Sequence, residues 1–420
     1  MELSLFGQRF TQKSGILELM EDLGTALDAP RDIAMLGGGN PASIPAVNRI
    51  WKERLEEILK DDNELEVFLT QYDGPQGKLS FLQGLANFFK TRFGWDVGPE
   101  NIAVTNGSQN AFFLLFNLFA GEFASGRKKS ILFPLAPEYI GYADQALGHD
   151  SFRSCRPKIE ILSNPYFKYF VDFEHLSLGA ETGAICVSRP TNPTGNVLTK
   201  EEIDRLSDLC QKTAIPLLLD NAYGTPFPGI LFEDIEPFWN ETTVLVLSLS
   251  KLGLPAARTG IVVARPEIVA AVTSANAILN LANSGMGQTL LLPLLKQGAL
   301  YQISQTLIRP FYQNLRDFAL NCIAQIFAGR FPYHIHQPQG ALFLWIWFPE
   351  LPVSTRELYE LLKARGVIIV PGEYFFFGMP AEDEHWKHRQ ECVRLNYARP
   401  ATELTMGLQR IAEVVERCYR

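Results

Sequence analysis

The part of the chain that most limits its fold runs from Ile102 to Val263, where short apolar runs alternate with helical patterns. Ile102-Ala103-Val104-Thr105 reads as a strand and Ser108–Phe123 as a helix. Ile131-Leu132-Phe133 and Ala184-Ile185-Cys186-Val187 are further strands. Lys200–Gln211 is a helix opened by the capping box Thr199-x-x-Glu202, which satisfies two orphan backbone donors. Pro216-Leu217-Leu218-Leu219 is a strand ending at Asp220, and Val244–Leu247 and Gly260–Val263 are two more. Strands apolar on every residue must be covered on both faces. This predicts an α/β fold with a mainly parallel sheet between helical layers. Ligands of such sheets bind beyond the carboxyl ends of the strands.

The flanks have a different texture. Residues 1–45 hold one helix pattern, Ile16–Leu27, and a turn, Gly37-Gly38-Gly39-Asn40-Pro41. Amphipathic stretches cover Pro45–Phe68 and the region from Gly77 to Phe93. After Leu300 come a long helix (Ile303–Phe327), a strand-like Gly340–Trp347 and a second capping box, Ser354-x-x-Glu357. Strand-like Val367–Val370 and Val393–Asn396 precede a last helix, Leu404–Cys418. The expected organisation is a large domain over 46–300 and a smaller α+β domain over 301–420, which segment 1–45 joins.

Charge and cysteine usage narrow the partners. Asp and Glu outnumber Lys and Arg by 46 to 38, a net charge of −8, which argues against nucleic acid or an anionic membrane surface. The six cysteines are scattered with no C-x-x-C pair, as reduced core thiols are. The N-terminus lacks the basic and apolar regions of a secretory signal. Ala111–Ala120 is broken by Asn117 and too short to span a bilayer, so a soluble cytoplasmic protein is expected. His334-x-His336 and His385-x-x-His388 each offer two ligands where a metal site needs three or four, and no metal is expected.

Four stretches carry possible chemistry. In Ser248-Leu249-Ser250-Lys251, followed by Arg258, a lysine leaves a buried strand between hydroxyls. Desolvation there would lower its pKa and make the amine a nucleophile; alone, it also reads as a lysine where a strand meets solvent. Asp220-Asn221-Ala222-Tyr223 puts an acid at a strand end, a binding position or a helix cap. Ser188-Arg189-Pro190-Thr191-Asn192-Pro193-Thr194-Gly195 is a rigid turn that aims an asparagine, or simply a turn. Thr105-Asn106-Gly107-Ser108-Gln109-Asn110-Ala111 is a strand–Gly–helix junction, which binds phosphate in some proteins and only connects elements in others.

The ordered set adds the aromatic segment Pro137-Glu138-Tyr139-Ile140-Gly141-Tyr142 and, near the end, Val393-Arg394-Leu395-Asn396-Tyr397-Ala398. From Gly39-Asn40-Pro41 to Arg394, this series resembles the class I aminotransferases of pyridoxal-phosphate fold type I. Within them it is most similar to the bacterial branch that works on valine and pyruvate. The resemblance implies a seven-stranded, mainly parallel sheet and pyridoxal 5′-phosphate as cofactor. It implies that Lys251 carries the cofactor covalently and then shuttles the substrate proton. Asp220 would pair with the ring nitrogen, Tyr223 and Asn192 with the ring oxygen, and Tyr139, rather than Tyr142, would stack on the ring. Ser108, Ser248, Ser250, Arg258 and the Gly107–Gln109 backbone would hold the phosphate. Arg394, helped by Asn192 and Gly39, would grip the substrate carboxylate. Tyr72, in Tyr72-Asp73-Gly74-Pro75-Gln76-Gly77, would reach a neighbouring subunit's phosphate, making the active unit a homodimer. Lys251 and Arg258 are seven residues apart where many relatives have eight, and the first glycine after Tyr72 is displaced by one.

Ala275–Gln288 contains no Lys or Arg, so Ile278, Leu279, Leu281, Met286, and Phe6 or Ile16, could line an apolar side-chain pocket, though each taken singly reads equally as ordinary core. The function implied is ping-pong transfer of an amino group between an apolar L-amino acid (valine, alanine, 2-aminobutyrate) and a 2-oxo acid (pyruvate, 2-oxoisovalerate), a step of amino-acid biosynthesis. Lyase or decarboxylase chemistry on the same fold is one alternative. A non-catalytic regulatory module is another.

Overall fold

The computed structural model describes residues 1–12, 14–17, 20, 21, 24, 33–383 and 385–420. Ile16, Leu17, Met20, Glu21 and Gly24 are helical there, and the rest of the expected Ile16–Leu27 helix lies outside the described residues. The strands in chain order are β1 (Ala34–Met35), β2 (Ile102–Thr105), β3 (Gly121–Glu122), β4 (Lys128–Phe133), β5 (Phe152–Ser154), β6 (Pro157–Ile161), β7 (Tyr166–Val171) and β8 (Thr182–Ser188). They continue with β9 (Leu217–Asp220), β10 (Thr243–Ser248), β11 (Gly260–Val263), β12 (His334–His336), β13 (Phe343–Trp347), β14 (Val367–Ile368), β15 (Val370–Pro371) and β16 (Cys392–Asn396).

The large sheet has the order β2-β11-β10-β9-β8-β4-β3, with β5 beside β4. Strands β10, β9, β8, β4 and β5 run parallel, and β11 is antiparallel to both its neighbours. Seven strands match the expectation; the eighth, β3, is a two-residue antiparallel addition to β4. The apolar runs explain the layers. Along β10, Leu245 and Leu247 pack into one core while Val244 and Val246 pack into the core on the other face. Every residue of β8, β9, β10 and β11 is buried. A strand alternates its side chains, so only a sheet covered twice tolerates this pattern.

The second sheet has the order β15-β16-β13-β12-β7-β6. Its β6–β7 hairpin comes from residues 157–171, inside the stretch expected to build the large domain, and β7 runs parallel to β12. Near the N-terminus, β1 pairs in parallel with β14, Ala34 opposite Val367. The helix expected over Ile303–Phe327 begins earlier, at Ala299, and changes to a π-helical turn over Ser304–Ile308 before Arg309–Phe327.

Both capping boxes form. Thr199 Oγ1 accepts from the Glu202 N–H at 3.2 Å while Glu202 Oε2 accepts from the Thr199 N–H at 2.8 Å. Ser354 and Glu357 repeat the pattern at 3.2 and 2.8 Å. No described helix is long and apolar enough to cross a membrane. Among the described residues no group of His, Cys, Asp and Glu is arranged to hold a metal ion, and His336 and His388 instead pack around Tyr169. All six cysteines are free thiols, three of them buried.

Candidate active site

The carboxyl ends of β8, β9 and β10 open into a cavity of about 320 Å³. Twelve of the expected site residues line it: Gly39, Ser108, Gln109, Tyr139, Asn192, Asp220, Tyr223, Ser248, Ser250, Lys251, Arg258 and Arg394. Gly107 lies directly under Arg258. Tyr72 is 83% exposed and does not line its own chain's cavity.

One end of the cavity is built for an anion. The helix Ser108–Phe119 points its N-terminus inward, with no acidic residue in its first turn and no side-chain cap from Gly107. Its free N–H groups and dipole favour a phosphate. Gly107 has φ +92°, and a Cβ there would lie 2.5 Å from Arg258 Nη2. Arg258 itself sits in the left-handed region at φ 44°, ψ 55°, and this brings its guanidinium back over the glycine despite the seven-residue spacing. The hydroxyls of Ser108, Ser248 and Ser250 complete the cup, and Ser248 Oγ accepts from the Ser250 N–H at 3.2 Å.

In the middle, Lys251 Nζ donates to the Gly39 carbonyl at 2.7 Å and lies 5.2 Å from the centre of the Tyr223 ring. Burial, then the charges of Arg394 and Arg258, bring the Lys251 pKa down to about 8, against the opposing charge of Asp220. Asp220 ends β9, where Tyr142 Oη donates to its Oδ2 and the Ala222 N–H to its Oδ1 at 2.8 Å. Burial pushes Asp220 up to about 6, and those donors hold it from rising further. Tyr139 packs edge-on against Tyr142, with ring centres 5.2 Å apart. Burial raises the Tyr139 and Tyr223 phenols, so both stay protonated at neutral pH.

At the other end Arg394, on β16, is 2% exposed. Its Nη1 donates to Asn192 Oδ1 at 2.8 Å and its Nη2 to the Gly37 carbonyl at 2.6 Å. The Phe343 and Phe375 rings flank it at 4.3 and 5.2 Å. Its buried Nε has no partner among the described residues. Asn396, two residues on, donates to the Gly38 carbonyl at 2.6 Å, so β16 fixes Gly37 and Gly38 of the Gly37–Gly39 turn.

The apolar pocket differs from expectation. Ile278, Leu279, Leu281, Met286 and Phe6 are exposed and do not line the cavity. The helix Pro266–Asn280 buries Ile268, Val269 and Val272, which leaves Ile278 and Leu279 on its outer side. Ile16, which was expected, and Met20 and Ile140, which were not, form the apolar wall. Ser188 also lines the cavity unforeseen, and Tyr142 serves as the donor to Asp220. Tyr142 was visible only as the second aromatic of its segment.

The chain is similar to known proteins over its whole length. Residues 46–411 match the family model of class I and II aminotransferases. The chain is 50% identical over 419 residues to the valine–pyruvate aminotransferase of Escherichia coli K12, covering 100% of this chain and 99% of that one. Among solved structures, a candidate amino-acid aminotransferase from Psychrobacter arcticum 273-4 is 45% identical with a TM-score of 0.96, over 100% of this chain and 99% of that one. The valine–pyruvate aminotransferase AvtA from Salmonella typhimurium LT2 is 48% identical with a TM-score of 0.88, over 96% and 99%. The chain belongs to the class I and II aminotransferases and has their fold type I architecture. Pyridoxal 5′-phosphate is the cofactor of that family, and the donor set fits it: an anion cup, a lysine, a buried acid and an aromatic face in one cavity.

Proposed function

We propose that this aminotransferase exchanges amino groups between a small apolar L-amino acid and pyruvate or 2-oxoisovalerate, with L-valine, L-alanine and L-2-aminobutyrate as donors. The observation that carries the reading is the distribution of charge around the cavity. Its lining cations are Lys251, Arg258 and Arg394, and its apolar wall is Ile16, Met20 and Ile140, which would face the substrate's side chain with no further cation among the described lining residues. An acidic side chain would be desolvated there without a partner. A 50% identical relative bears the name valine–pyruvate aminotransferase, which supports the same choice. Apolar selection is worth only about 1–3 kcal/mol per methylene, so the preference among these donors is graded.

Each residue then has a task. Bound pyridoxal 5′-phosphate supplies an aldehyde that takes the amino group and a ring that stores the electron pair released at the substrate Cα. Lys251 would anchor the cofactor through Nζ, and its free amine would be placed to move the substrate's Cα proton. Asp220 would keep the proton on the ring nitrogen, Tyr139 would cover the ring, and Tyr223 and Asn192 would hold the ring oxygen. Ser108, Ser248, Ser250, Arg258 and the Gly107–Gln109 backbone hold the phosphate, and Arg394 with Asn192 and Gly39 orients the carboxylate.

We further infer a cytoplasmic homodimer in which Tyr72 reaches the partner's phosphate. The exposure of Tyr72, with Ile278 at 86% and Leu281 at 67%, supports a surface that a second subunit covers. L-valine, and separately pyruvate on the amine form, should interconvert the two spectral forms of the bound cofactor. Absence of both conversions with every small apolar donor would refute the substrate assignment. A monomer by analytical ultracentrifugation that retains full activity would refute the shared site.

A further inference from the structure

None of these steps uses Glu138, a fully buried acid at the edge of the site. It is 1% exposed and makes no ion pair among the described residues. Its Oε1 accepts from the Ser188 N–H at 2.9 Å. Its Oε2 accepts from Ser188 Oγ at 2.8 Å and from the Tyr139 N–H at 3.2 Å. The Glu138 N–H donates to the Phe375 carbonyl at 3.0 Å. A buried carboxyl without a cation carries a heavy desolvation penalty, so its neutral donors must hold it closely.

Those contacts join three parts of the site. Ser188 is the last residue of β8 and stands opposite Asp220 in register. The Arg189 N–H donates to the Asp220 carbonyl at 2.8 Å, and Thr191 Oγ1 donates to the Ser188 carbonyl at 3.1 Å, opening the turn that presents Asn192. Tyr139 follows Glu138 directly and lines the cavity. Phe375 flanks the Arg394 guanidinium.

We propose that Glu138 is a positioning residue of the transamination site: its carboxyl clamps the turn carrying Tyr139 to the end of β8, and so fixes the Tyr139 ring against Asp220 and the cofactor. The proposal rests on the transamination reading above. Burial pushes Glu138 up to about 8, with the Ser188 bonds opposing and the charge of Asp220 adding to the rise. Tyr139 and Tyr142 on the same turn, Cys186 on β8 and Asp220 on β9 are the titratable groups around it.

The test uses the holoenzymes of Glu138→Gln, Ser188→Ala and the double variant. In E138Q the amide oxygen keeps the Ser188 N–H, while the NH₂ group turns toward Ser188 Oγ and leaves the Tyr139 N–H without its acceptor. Cofactor release from E138Q, followed by absorbance after dilution into a trap, should be at least about fivefold faster than from wild type, as expected when the buried Tyr139 N–H is left without its acceptor. The half-reaction rate with L-valine should fall about tenfold, while the valine concentration at half-maximal rate moves less than about twofold. The main-chain bond to Phe375, and with it the surroundings of Arg394, survives the change. S188A should give part of the loss, and the double variant should be no worse than E138Q within about twofold, because both act on one contact. Wild-type cofactor release and half-reaction rate in E138Q, with only a lowered melting temperature, would overturn the proposal. Fully additive losses would overturn the route through Ser188. If wild type converts with no amino acid while E138Q still sheds cofactor faster, the transamination reading falls and the clamp stands.

Discussion

Gly107→Ala tests the phosphate cup at its narrowest point. Gly107 has φ +92°, ψ 159°, a region that residues with a Cβ hardly visit, at a cost of ~1–3 kcal/mol. The new methyl would also lie 2.5 Å from Arg258 Nη2 and 3.0 Å from Cζ, so the guanidinium must leave. Unfolding a chain of 420 residues has an entropy near 0.9 kcal/mol/K at ~2.1 cal/mol/K per residue, so ~2 kcal/mol lowers Tm by only ~2 °C. The larger effect falls on the phosphate. Losing one charge-assisted contact of ~1.5–3 kcal/mol weakens binding roughly 10- to 150-fold. Apoenzyme should be titrated with pyridoxal 5′-phosphate and, in parallel, with pyridoxal, which has no phosphate. The variant should lose affinity for the first and keep its affinity for the second within about twofold. Equal losses for both, or none for either, would show that Arg258 and the Gly107 turn do not form the phosphate site.

Other perturbations separate the remaining roles. Arg394→Lys keeps a charge but loses the planar fork, so kcat/KM for L-valine should drop ~10- to 150-fold with cofactor affinity unchanged; a drop under about threefold would remove Arg394 from carboxylate binding. Burial raises Asp220 to about 6, above an unfolded value near ~3.9, so the folded state takes up a proton between these values. Cofactor-free stability therefore falls as pH rises through that window and stays lower above it. Asp220→Asn should raise the cofactor-free melting temperature at pH ~7.5, change it little at pH ~4, and abolish turnover; a lowered melting temperature at pH ~7.5 would contradict the sign. Lys251 reacts as the free amine, so attachment of pyridoxal 5′-phosphate to apoenzyme should rise with pH to a midpoint near 8, and a midpoint near ~10 would mark an ordinary solvated lysine.

What the sequence disclosed, and what it withheld, follows from how each feature is encoded. Strands β8 to β11 were legible because a doubly covered strand is apolar at every position. Lys251, Asp220, Asn192 and Arg394 were legible because each belongs to a stretch of residues whose order along the chain is itself distinctive. Tyr142 and Ser188 were hidden for the opposite reason. Tyr142 meets Asp220 across 78 residues and Ser188 meets Glu138 across 50, and neither pair leaves a local pattern. The β6–β7 hairpin was missed because its membership of the second sheet depends on β12, far along the chain. Ile278 and its neighbours misled because an apolar residue near a helix end reads the same whether it faces a cavity or the outside.

The Gly37–Gly39 turn sets the order in which this enzyme can be completed. The carbonyls of Gly37 and Gly38 are held by Arg394 and Asn396, contacts that span 357 and 358 residues. A ribosome delivers every strand of the large sheet long before it delivers β16, and domains generally fold as they emerge. The cofactor-binding half thus has its residues early, whereas the carboxylate fork and the turn beneath it can join only once β16 has emerged. Contacts of such separation also form slowly. A nascent or C-terminally clipped chain would therefore be able to take up pyridoxal 5′-phosphate while remaining unable to grip an amino acid. Competence to load cofactor and competence to transaminate would then be acquired at different times in the life of one molecule.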